Sequence, residues 1–115
     1  MKLPGRHKLR ITRAKMANYR LSPTHSSGRY KAVFFQRFGF SLARTDELAE
    51  ALRSHGAICE VAKVKNSPFG VRYILEGELA TPDGRNPVVR SVWFIERGEY
   101  AQKLVTVYPV GRKRR

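Results

Sequence analysis

A histidine, two cations and a hydroxyl are the side chains here with chemistry to offer. His25 stands just before the segment SSGRYKAVFFQRFGF (residues 26–40), in which Lys31 is embedded among phenylalanines. An imidazole gains or loses its proton near neutral pH, so His25 suits general acid–base work. An ammonium held by aromatic walls at a cleft edge suits a phosphate, and desolvation there lowers its pKa. Arg90 and Thr106 fall on two stretches that read as neighbouring strands, where a guanidinium and a hydroxyl can share a phosphate. Each has a plainer reading: an exposed loop histidine, a lysine whose stem lies along apolar surface, an ordinary cross-strand polar pair.

The sequence contains no P-loop, GxGxxG, HExxH or GxSxG pattern, so nothing calls for a nucleotide cofactor. His7, His25 and His55 lack metal-ligand spacing, and no metal is expected. Catalysis, if present, uses side chains alone. That favours RNA cleavage, in which the substrate's own 2′-hydroxyl is the nucleophile.

These groups need elements to hold them. Residues 12–20 and 26–38 read as helices, the second capped by Ser26 or Ser27 and stopped by Gly39. At about 100° per residue, Lys31 lies within the arc of Phe34, Phe35 and Phe38, while Arg29 points the opposite way. Thr45-Asp46 opens a third helix, with acids in its first turn and Gly56 as its end. From residue 57 the pattern becomes strands: 57–65, 70–80, 87–96 and 102–109, with turns at Asn66-Ser67-Pro68, Pro82-Asp83-Gly84 and Arg97-Gly98-Glu99. Val71, Tyr73, Leu75 and Leu79 share one face; Arg72, Ile74, Glu76 and Glu78 share the other. Trp93 favours the Ser91–Trp93–Ile95 face as core, which puts Arg90 on the free face. On the last strand Thr106 alternates with Leu104 and Tyr108. The expected fold is α+β, with two to three N-terminal helices packed on one face of a four-stranded antiparallel meander sheet. The expected layout is a basic N-terminal arm (1–11), one domain (12–110) and a basic tip (111–115).

Charge narrows the partners. The 115 residues hold 23 Lys and Arg against 9 Asp and Glu, a formal net charge of +14. The first acid is Asp46, and the last four residues are all Arg or Lys, so the cationic field comes from the two ends of the chain. Such a balance attracts polyanions, RNA or DNA first. Cys59 is alone, which leaves no disulfide and no cysteine zinc site, and it reads as a buried strand thiol. No stretch approaches a membrane span, and a cytoplasmic location is expected.

The pieces AKMANYRLSPTHSSGRYKAVFF, FGVRYILEGEL, VVRSVWFIE and KLVTVYP together resemble a bacterial family catalogued only as a domain of unknown function. The matching positions are Gly28, Lys31, Ala32, Phe35, Arg90, Trp93, Leu104, Thr106, Tyr108 and Pro109. The resemblance implies a free-standing small protein or the C-terminal unit of a polymorphic toxin, sometimes beside a small antitoxin or immunity protein. Relatives often place His before the helix lysine, where this chain has Tyr30; with that His as the base of the family, this chain needs His25 instead or lacks activity. Helices followed by a meander are also similar, at fold level, to the barnase, EndoU and RelE group of metal-independent ribonucleases. The expectation is therefore a metal-independent endoribonuclease toxin, with no cofactor, acting on RNA and neutralised by a small acidic partner. His25, Lys31, Arg90 and Thr106 would be catalytic, and Arg29, Arg72, Ser91 and Tyr108 would bind nucleic acid. The alternatives are a non-catalytic RNA- or DNA-binding module, and a basic interaction protein for an acidic partner.

Overall fold

The structure, a computed structural model, describes residues 1–11, 34–41 and 45–110. The helix expected over 12–20, most of that over 26–38, and the tip at 111–115 lie outside them.

Alternating apolar residues build a sheet of five strands: β1 (Leu9–Arg10), β2 (Val61–Ser67), β3 (Gly70–Glu78), β4 (Val88–Glu96) and β5 (Gln102–Pro109). Their order is β1-β5-β4-β3-β2. The last four strands form an antiparallel meander, but β1 pairs with β5 in parallel, Leu9 opposite Gln102. The sheet is thus mixed and five-stranded, which corrects the expected four-stranded antiparallel sheet. The expected two to three N-terminal helices are not borne out either. Among the described residues one long helix, α1 (Thr45–Ile58), packs on the sheet, beside a short helical piece over 34–37.

The physical reason lies in the first ten residues. Their charge suggests a solvated arm, but Leu3 is 2% exposed and belongs to the core. Val61 N–H donates to Met1 C=O, Lys2 Nζ donates to Ile58 C=O, and Lys2 bridges Glu60 beside the start of β2. The segment then runs to the opposite edge of the sheet, where Gln102 N–H donates to Lys8 C=O. Leu3 in the core, Leu9 packed against it and these hydrogen bonds together dock the segment.

α1 keeps its acids Asp46 and Glu47 in the first turn, where the helix dipole favours them. Leu48, Leu52 and His55, at i, i+4 and i+7, form its buried stripe. The helix continues through Gly56 to Ile58, so Gly56 is not its cap. A methyl on Gly56 would lie 2.8 Å from both Leu9 Cδ1 and Trp93 Cζ2. The missing side chain lets the helix approach the sheet. Cys59 consequently follows the helix rather than entering a strand. It is partly buried, and burial pushes its thiol up.

The aromatic segment ends as expected. Gly39 has φ +99°, Gly39 N–H donates to Gln36 C=O at 3.0 Å, and Phe40 N–H donates to Phe35 C=O at 3.2 Å. This is a Schellman cap. Its hydrophobic contact is the edge-on pair Phe35–Phe40, 6.0 Å apart, both buried in the core.

Candidate functional site

Strand register decides which side chains share a face, because directly paired residues point the same way. The core face carries Tyr73, Leu75, Trp93, Leu104 and Val107. The far face is ordered in rows. Lys65, Arg72, Phe94 and Lys103 form one row across β2, β3, β4 and β5. Lys63, Ile74, Val92 and Thr106 form the next, and Glu76, Arg90 and Tyr108 the third. Five of the eight cations between Asp46 and Gly111 therefore stand on this face. Glu76, Glu78 and Glu96 temper their charge.

The β5 bulge explains one departure from simple alternation. Val92 pairs with Thr106 but Trp93 pairs with Leu104, so Val105 is the extra residue. Leu104 and Val107 both face the core, and Thr106 joins Arg90 and Tyr108 on the far face rather than sharing a face with Leu104.

Arg90 is held rather than loose. Its Nε donates to Glu76 Oε1 at 2.8 Å, and its side chain is 43% exposed. Hydrogen bonds to Glu76 and then Tyr108 raise its pKa further above the ordinary guanidinium value. A guanidinium has five N–H donors, so donors remain for a ligand after both contacts.

Of the residues singled out in the sequence, Arg90, Thr106 and Tyr108 come together, and Arg72 stands on the same face two rows away. His25, Arg29 and Lys31 lie outside the described residues. Ser91 faces the core and is fully buried. Trp93 Nε1–H donates to Ser91 Oγ at 2.9 Å, and Ser91 Oγ lies 2.8 Å from His55 Nδ1. His55 Nε2 lies 3.0 Å from Gly77 C=O. A carbonyl only accepts, so Nε2 carries the proton and Ser91 O–H donates to Nδ1. Burial lowers the His55 pKa, opposed by hydrogen bonds to the backbone of Gly77 and Val89. The arrangement has the composition of a nucleophile–base pair, yet Ser91 is 0% and His55 3% exposed. It is an internal polar network.

A family model described as "Domain of unknown function (DUF6883)" matches residues 2–111. The chain belongs to that family. A chain of the contact-dependent growth inhibition toxin–immunity protein complex from Klebsiella pneumoniae 342 has a similar fold. Its TM-score is 0.66 at 18% identity, over 87% of this chain and 98% of that one. No curated protein matches the sequence. Among the described residues no helix is long and apolar enough to cross a membrane.

Lys65, Phe94 and Lys103 escape sequence reading as site residues. Alternation along β4 does put Phe94 with Arg90, but only the register brings lysines from β2 and β5 into line with it.

Proposed function

We infer that this family member is a toxin that cleaves RNA without a metal ion and is held in check by a small acidic immunity protein. The observation that carries the reading is the far face of the sheet, where Arg90, Thr106 and Tyr108 stand together within a field of cations. A net charge of +14 suits a protein that acts on a polyanion. The fold shared with a chain of a toxin–immunity complex supports the toxin role and the immunity partner.

In this reading His25 removes the proton of the 2′-hydroxyl, whose oxygen attacks the adjacent phosphorus. Lys31 and Arg90 hold the charge of the phosphorane, and Thr106 orients a phosphate oxygen. The P–O5′ bond then breaks, and protonated His25 returns its proton to the leaving oxygen. The products are a 2′,3′-cyclic phosphate and a free 5′-hydroxyl. Arg29, Arg72 and Tyr108 hold the strand.

Incubating the purified chain with RNA in EDTA tests this. Cleavage leaving cyclic phosphate ends is expected. Arg90→Ala should slow it by roughly a hundred- to a thousandfold, the cost of losing one preorganised donor. No cleavage of any RNA, with wild type and Lys31→Ala equally harmless inside cells, would sink the reading. The Arg90–Glu76 ion pair favours a second reading, in which the arginine is structural and the face only binds RNA. Salt-sensitive RNA retention without cleavage would select it.

A further inference from the structure

We propose that Lys65, Arg72, Phe94 and Lys103 form a stacking platform for one unpaired base of the RNA, with the neighbouring phosphates held on either side. The proposal deepens the reading above and takes from it the choice of RNA as the polyanion.

The four residues are a single cross-strand row, Lys65 opposite Arg72, Arg72 opposite Phe94 and Phe94 opposite Lys103. Neighbouring strands lie about 4.8 Å apart, so a cation stands beside the phenyl ring on each side. Lys65 and Arg72 are exposed, and Phe94 and Lys103 are half-buried. A recess of about 260 Å³ opens at this place, lined by Lys65, Asn66, Ser67, Arg72 and Phe94. Lys103 meets Glu96 only at 3.7 Å with both side chains about half exposed, a contact that a phosphate can displace.

The Phe94 ring leans over Gly70, where a Cβ would lie 2.7 Å from its Cζ, and the ring stays partly exposed between its flanking cations. This arrangement matches a strand whose bases are splayed and whose backbone is charged. A duplex does not fit, because its bases are already stacked on one another. Phe94 lies four residues from Arg90 along β4, about 13 Å. A base on the platform and a phosphate at Arg90 therefore belong to one short single-stranded segment. Nothing in the row reads a 2′-hydroxyl, so single-stranded DNA of the same sequence should occupy it too.

The test is binding of a labelled 2′-O-methyl RNA strand of about eight nucleotides, within the span of one small module. The methyl group blocks cleavage, so affinity is read whether or not the protein is catalytic. A strand of equal length with abasic residues isolates the backbone contribution. Phe94→Leu should weaken binding of the base-bearing strand roughly ten- to a hundredfold and leave the abasic strand unchanged. Arg72→Ala, Lys65→Ala and Lys103→Ala should each flatten the salt slope by about 0.7. If Phe94→Leu fails to fold, the exposed pair Lys65→Ala and Arg72→Ala carries the test. Unchanged affinity of Phe94→Leu, or unchanged salt slopes of the alanine variants, would overturn the platform. Cleavage by a wild type whose Phe94→Leu variant binds normally removes the platform and keeps the ribonuclease. Phe94-dependent binding without cleavage does the reverse.

Discussion

His55 is the residue whose chemistry is most constrained. Its ring is fixed at both nitrogens, by Ser91 and by Gly77, in one neutral tautomer. Protonating it places a second N–H against a hydroxyl already donating to it, inside the core. Its folded pKa lies below the ordinary imidazole value, with burial the main cause. The unfolded chain therefore binds the proton first as pH falls. Stability is fully present above the unfolded value, about 6.5, and is lost progressively as pH falls from there through the lower folded value. Urea midpoints at pH 7 and pH 5 should fall for the wild type and change much less for His55→Gln. Equal pH slopes would mean that the ring titrates alike in both states. The sequence places a histidine near the end of α1 but says nothing of Ser91 on another element, so its place in the core is not legible there.

Packing between elements turns on a gap the width of one methyl group. Gly56 faces Trp93 and Leu9, and any side chain there collides with both. Gly56→Ala gains about 1 kcal/mol of helix propensity, yet overpacking a tight contact costs about 1–3 kcal/mol. The net expectation is a variant less stable by up to about 2 kcal/mol in chemical denaturation. A more stable variant would show that the helix can shift away from Trp93. This glycine also shows where sequence reading stops. Near the end of an amphipathic stretch, a glycine reads as a cap, because local pattern cannot distinguish freedom of φ from absence of volume. Gly39 is the opposite case: its cap is a local hydrogen-bond pattern, and it was legible. The strands β3, β4 and β5 were legible too, since alternation and turn residues are local. The faces of β3 followed from period two alone. The bulge at Val105 was not visible, because it arises from how two strands pair. The same is true of the far-face rows: Arg90, Thr106 and Tyr108 were found as types, while Phe94 gained its flanking cations only through register.

Across the whole molecule, the largest misreading concerns the first ten residues, where charge density outweighed Leu3 and Leu9. A basic segment can be both a cationic surface and a structural one, because only two of its side chains need to be inside. Leu3→Ala should cost about 2–4 kcal/mol, as for other buried leucines, and denaturant midpoints would show it. A loss below about 0.5 kcal/mol, typical of surface changes, would return the segment to the status of an arm. Its pairing has a further consequence for how the molecule comes into being. β1 docks on β5, the last strand of the sheet in sequence, so it is made before the other strands and is among the last to find its place. Until β5 has emerged, Leu3 and Leu9 have no complete sheet to cover, and that edge of the core stays open. The strand that comes first in the sheet's sequence acts as its closing latch.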